Sequence, residues 1–248
     1  MTYGTGLLLA GASGIAGAVN AVAGGGTLLT FPALLATGIA PVAANATNTV
    51  ALLPGQLASA YAYRTYIAEE RQRALVLGVP SLVGGVAGAA LLLLMPARIF
   101  EAVVPWLILF ACALLAVQGP IKAALARWPH VNHPAALWIA QLLIAVYGGY
   151  FGAGIGILML AAMGIMLPSS IQHANALKVL FSLLINGIAA VIFVAKGAVH
   201  APEAALMAAA AIAGGFVGAQ LAKRLPPAGM RGFAIAVGLY AAVRMFLA

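Results

Sequence analysis

The chain has almost no charge. It contains no Asp and only four Glu, against twelve Lys and Arg, and charged residues make up 6% of its 248 positions. A water-soluble fold carries roughly 25% charged residues to cover its surface, so this composition excludes one. Hydrophobic residues reach 65%, the mean hydropathy is +1.10 and the net charge is +8. Without Asp and without a GxxxxGK[ST] loop, nothing here holds a nucleotide triphosphate and its Mg²⁺, which removes ATP-driven transport within the chain. Cys112 is the single cysteine and sits in an apolar run, so intrachain disulfides and thiolate metal clusters are excluded as well. No paired carboxylates and no Ser/His/Asp set fall inside the hydrophobic runs, so we expect neither an enzyme nor a cofactor. The basic excess lies between apolar runs, where it reads as a topology signal and not as a nucleic-acid surface.

What is present is hydrocarbon-compatible sequence. About 20 apolar residues cross a bilayer as a helix, and eight runs meet that length: 4–23, 43–63, 74–95, 100–118, 135–153, 173–195, 203–222 and 230–248. Two shorter runs remain, 26–38 and 156–167; each follows a glycine cluster, Gly24–Gly26 or Gly152–Gly156. At about 18–20 Å of helix neither spans comfortably alone, and whether they cross or re-enter stays open. The first segment, Leu7–Val22, lacks a basic leader and reads as retained structure.

A shift of 130 residues superposes the two halves without a gap. Gly24 and Gly26 fall on Gly154 and Gly156, and Ala44-Asn45-Ala46 on Ala174-Asn175-Ala176. Gly84-Gly85-x-x-Gly88-Ala89 falls on Gly214-Gly215-x-x-Gly218-Ala219, and Pro96 on Pro226. Loop charge then trades sides. Arg64, Arg71 and Arg73 follow the third run of the first half where its mate has Lys196, while Arg98 corresponds to a loop with Lys223, Arg224 and Arg231. A parallel repeat keeps corresponding loops on one side; an inverted repeat exchanges them. The expected fold is therefore an all-α integral membrane protein of two inverted-topology repeats, each of about five helical segments with short or broken helices after the glycine clusters. Residues 1–118 form the first repeat, 119–134 a cytoplasmic linker with a short surface helix at 121–127, and 135–248 the second repeat. This places Arg64, Arg71, Arg73, Lys122, Arg127, Lys223, Arg224 and Arg231 inside, against Arg98, Lys196 and Arg244 outside. His130 and His133 in the linker, flanked by Pro and lacking a third ligand, read as solvated loop and not as a metal site.

Polar side chains inside a bilayer are costly, so each is a functional candidate. Asn20 precedes the first glycine cluster. Asn45, Thr47, Asn48 and Thr49 head the following run, with Gln56 deeper. In the second half, His173, Asn175 and Lys178 head the corresponding run, with Ser182 and Asn186 deeper. Asn45 and Asn48 are three apart, as are Asn175 and Lys178, and Gln56 and Asn186 each lie eleven residues beyond the first Asn, so each set shares a helix face. The alternative for such amides is glue between helices. Two matching stripes beside two helix breaks favour a substrate path. Helices starting at Gly26 and Gly156 turn unpaired N–H groups and a positive dipole end toward it. With Lys178 as the basic residue well inside a run and no carboxylate there, the passenger is expected to be a small anion. His173 is the candidate for proton coupling.

These residues carry a family resemblance. Asn20-Ala-Val-Ala-Gly-Gly-Gly-Thr-Leu-Leu, Phe31-Pro32 and Ala44-Asn45-Ala46-Thr47-Asn48 resemble the first-half signature of the TauE/SafE sulfite exporters. Gly149-x-x-Gly152-Ala-Gly-x-Gly156, His173-Ala-Asn175-Ala-Leu-Lys178 and the Gly214 to Pro226 stretch resemble the second. The resemblance implies a permease of a bacterial inner membrane that moves sulfite, an organosulfonate or a similar anion, with Asn20, Gly24–Gly26, Thr47, Asn48, Gly154, Gly156, Asn175 and Lys178 at matching positions. A passive anion channel is the alternative in another functional class. Driving force and coupling ion are left open by the residues.

Overall fold

The computed structural model describes residues 2–22, 25–125, 133–167, 170–221 and 227–247. Among them the chain is helical throughout: α1 (Tyr3–Val22), α2 (Thr27–Ala36), α3 (Pro41–Ala62), α4 (Arg64–Glu69), α5 (Arg71–Leu94), α6 (Ala97–Leu125), α7 (Pro134–Tyr150), α8 (Ile155–Met166), α9 (Ile171–Ala195), α10 (Ala201–Leu221) and α11 (Pro227–Phe246). All ten apolar runs appear as helices. Among the described residues, four helical stretches are long and apolar enough to cross a membrane by length and composition: Arg71–Leu94, Ala97–Ile121, Gln172–Ala195 and Gly229–Phe246. Large apolar side chains such as Leu75, Val79, Leu143 and Val191 lie exposed on the outside, as hydrocarbon solvent requires. This is an all-α membrane protein.

Two local readings change. Where a loop follows residue 63, six residues form α4. Where a separate surface helix stands at 121–127, α6 instead continues through Pro120 to Leu125 as one helix of 29 residues. The loop residues Arg127, His130, Lys223 and Arg224, and Gly24 of the first cluster, fall outside the described residues.

Packing repeats with the sequence. Taking α1, α2, α3, α5 and α6 as mates of α7, α8, α9, α10 and α11, the main contacts map onto one another when the halves are exchanged. The packing of α1 on α10 corresponds to α7 on α5, α3 on α10 to α9 on α5, and α2 on α11 to α8 on α6; α3 on α9 maps onto itself. The halves therefore swap the fourth of their five paired helices, and each Gly-Gly-x-x-Gly-Ala stretch packs against the other half. A Cβ on Gly88 would lie 2.1 Å from the Val146 carbonyl oxygen of α7, and one on Gly214 would lie 1.9 Å from the Gly14 carbonyl oxygen of α1. Small residues let these backbones meet, the usual currency of helix association in lipid.

The two ends of the bundle can be told apart. At one end the α2–α3 connection (Thr37, Gly38, Ala40) shares a small cavity with Thr2, Thr5, His200 and Glu203. At the other, Glu69 of α4 meets His173 at 2.8 Å and Tyr66 meets the same ring edge-on at 5.3 Å. These ends are separated by the length of α3, 22 residues or about 33 Å of helix.

Candidate functional site

A cavity of about 790 Å³ opens between the halves. Its lining follows α3 from Asn48 to Tyr63, α6 to Gln118, α9 from Asn175 to Asn186 and α10 to Phe216. The cavity thus reaches the end of the bundle that carries α4 and Arg64. Toward the other end it stops at Phe151, behind which Phe31 and Phe100 pack edge-on, with ring centroids 5.5 and 6.4 Å away.

Two helix starts border this space. Gly154, with φ +80°, caps α8 in the left-handed region that glycine enters without strain. Gly25, at φ +93°, turns the chain into α2. The Gly26 N–H donates to Asn20 Oδ1 at 2.7 Å, so the Asn20 side chain ties the end of α1 to the start of α2. One turn on, the buried Thr30 hydroxyl donates to the Gly26 carbonyl and to Asn48 Oδ1. In the second half Gly156 leaves room for the Lys178 stem: a Cβ there would stand 3.2 Å from Lys178 Cδ. Lys178 Nζ donates to Asn175 Oδ1 at 3.2 Å. Asn48 and Lys178 are repeat mates, and both line the cavity.

Deeper, Asn186 Nδ2 donates to Gln56 Oε1 at 3.1 Å. These two are also mates at the 130-residue shift, so this bond joins a position to its own copy. An inverted repeat would place a contact of that kind on its axis.

Of the residues singled out by sequence, Asn20, Gly26, Asn48, Gln56, Gly156, Asn175, Lys178 and Asn186 line one cavity. Three do not. Asn45 is buried and its Nδ2 donates to the Tyr150 carbonyl at 3.0 Å, while Thr47 Oγ1 accepts from the His200 N–H at 3.0 Å. His173 lies between Glu69 and Ser170, with its Nδ1 2.6 Å from the Ser170 hydroxyl. Asn45 and Thr47 lie past the end of the cavity, whose lining on α3 stops at Asn48, and residues two apart on a helix differ by about 160°, so His173 points away from Asn175 toward α4. Sequence reasoning missed Thr30, Thr27 and Gln118. Thr27 and Gln118 line the cavity, and Thr30 has no mate of its own chemistry, since the shift pairs it with Leu160. Gln118, the last residue of the 100–118 run, is buried inside α6.

Lys178 is the sole charged side chain among the described lining residues; the others are amides, hydroxyls, glycines and apolar groups. A helical membrane protein whose cavity opens toward one end and carries amides, hydroxyls and one Lys in a largely apolar wall has the layout of a membrane transporter. The profile described as "Sulfite exporter TauE/SafE" matches residues 9–245, and the chain belongs to that family. Among curated relatives it is 31% identical over 169 residues to a "Probable membrane transporter protein" of Haemophilus influenzae, covering 66% of each chain. It is 31% identical over 160 residues to "Probable membrane transporter protein ORF9" of Sinorhizobium, covering 61% of this chain and 60% of that one. It is 27% identical over 216 residues to "Probable membrane transporter protein YfcA" of Escherichia coli K12, covering 85% of this chain and 77% of that one. The first two matches thus span less than two thirds of those relatives. No solved structure matches the chain.

Proposed function

We propose that the chain is a multi-pass permease of a bacterial inner membrane that carries a small anion, sulfite or an organosulfonate, by alternating access between two inverted halves. The observation that carries this reading is the charge of the cavity: one Lys, several amides and no carboxylate among its described lining residues. Lys178 and Asn175 form the cationic, donor-rich wall; Asn48 and Asn20 face it with the start of α2 at Gly26, and Gly156 opens the start of α8. Gln56 and Asn186 line the path at the axis.

Inversion is supported by where repeat mates sit. Ala40 lies with His200 at one end, while its mate Ser170 lies with His173 and Glu69 at the other. The closed far end of the cavity favours a carrier over an open pore. The E. coli, Haemophilus and Sinorhizobium relatives, each named as a probable membrane transporter, agree with this class.

Uptake of sulfite into proteoliposomes tests the reading. Lys178→Ala is expected to reduce it about 10- to 100-fold, the loss that removing one charge-assisted hydrogen bond gives, while Lys178→Arg retains a measurable part. Saturation and acceleration by anion on the far side are expected of a carrier. Undiminished uptake by Lys178→Ala would remove Lys178 as a ligand, and a binding panel that retains only cations would overturn the anion assignment.

A further inference from the structure

We propose that Asn45 and Thr47 are the latch that holds the closed end of the cavity shut, and that this latch must break for the site to face the opposite side. The inference rests on the alternating-access reading above. On α3 the cavity lining stops at Asn48. Asn45 and Thr47 lie beyond it toward Pro41, between the cavity and the end that carries Ala40 and His200. They are 1% and 0% exposed. Each makes a 3.0 Å bond from a side chain of the first half to a backbone atom of the second: Asn45 to the Tyr150 carbonyl at the end of α7, Thr47 to the His200 N–H between α9 and α10. Two such bonds cross the interface where the halves would have to separate.

The two-fold arrangement says which polar bonds persist and which exchange. Asn186 to Gln56 maps onto itself when the halves swap roles, so it belongs to both states of the cycle. Asn45 to the Tyr150 carbonyl maps onto different atoms: Asn175 and the Asn20 carbonyl, since the shift carries 45 to 175 and 20 to 150. Asn175 and Asn20 both line the open cavity. In the opposite state Asn45 leaves Tyr150 and the Asn175 side chain meets the Asn20 carbonyl, closing the present mouth. Thr47 maps onto Leu177, so this exchange runs through the amide pair alone. The latch is also incompletely satisfied. Asn45 Oδ1 is buried with no hydrogen-bond partner among the described residues, and a buried acceptor left unpaired makes a state easier to leave.

The test uses the full chain with Cys112→Ala and a reporter, Ser182→Cys, in the cavity wall. A membrane-impermeant maleimide should label the reporter quickly from the face carrying Arg64 and slowly from the face carrying His200. Asn45→Leu and Thr47→Val should each raise labelling from the His200 face roughly fivefold, the population shift that one lost hydrogen bond produces. Labelling from the Arg64 face reports an intact fold in the same sample. Unraised labelling from the His200 face in a variant that still labels from the Arg64 face overturns the latch. A second measurement leaves both residues untouched. Bridging Thr37→Cys to Glu203→Cys with a short bis-methanethiosulfonate, which forms a disulfide at each thiol as methanesulfinate leaves, should stop transport until reduction restores it, and sustained transport by the bridged protein overturns the proposal. Because labelling needs no substrate, failure of the anion assignment would show separately, as an unbridged protein that labels as expected and carries no anion.

Discussion

A single amide does two jobs at Asn20. Its Oδ1 takes the Gly26 N–H at 2.7 Å, and its side chain lines the cavity. Structure and transport can be separated here. Asn20→Ala leaves the Gly26 N–H without its partner and is expected to cost about 1 kcal/mol, seen as a lower unfolding temperature in detergent. Asn20→Asp keeps an acceptor at the same place and is expected to preserve that temperature. It also sets a negative charge in the lining, so anion binding should weaken sharply, and anion affinity unaffected by the aspartate would contradict an anion path past α2. Asn45 and Asn48 teach the related lesson that chemistry alone does not assign a role. Both are buried amides of α3, yet Asn48 lines the cavity while Asn45, nearer Pro41 and past the cavity's end, bonds the Tyr150 carbonyl.

At the scale of elements, glycine decides which helices can touch. Gly88 of α5 and Gly214 of α10 have no space for a methyl group, since the facing carbonyl oxygens would lie 2.1 and 1.9 Å from it. Gly88→Ala and Gly214→Ala are therefore expected to lose about 1–3 kcal/mol each through forced backbone shifts. Gly187→Ala and Gly232→Ala, whose added Cβ would meet nothing within 4 Å, are expected to be neutral or to gain from helix propensity. Comparing thermal unfolding of the four purified variants checks this, and equal losses across them would refute a packing origin. Most of these elements were legible in the sequence, because long apolar runs and glycine clusters have few other solutions in a bilayer. α4 was not, since six residues (Arg64–Glu69) are too short to carry a periodic pattern. The continuation of α6 past Pro120 was hidden too: proline reads as a stop, yet the helix runs on to Leu125.

The whole molecule is organised by its repeat, and this was legible because a 130-residue register preserves Asn, Pro and the GGxxGA stretch at once. The eight singled-out residues that line the cavity were legible for the same reason, as polar and glycine positions in one half drew attention to the other. Thr30 escaped because its mate is Leu160. Inversion has a direct topological readout. Ala40 and Ser170 are mates and both exposed, so in a Cys112→Ala background Ala40→Cys and Ser170→Cys should react with an impermeant thiol reagent from opposite faces of the membrane. Reaction from one shared face would require a parallel repeat and would undo the alternating-access scheme with it.

The Gln56–Asn186 bond has a consequence for ancestry. A side chain beside a two-fold axis meets its own copy, so in a symmetric pair of identical halves it must complement itself. Carboxylates in both copies repel, and so do ammonium groups. A carboxamide carries a donor and an acceptor together and can bond to another carboxamide. Gln and Asn differ by one methylene and keep that self-complementarity, so in the inverted arrangement proposed above the pair needs no counter-charge, whichever half supplies the donor.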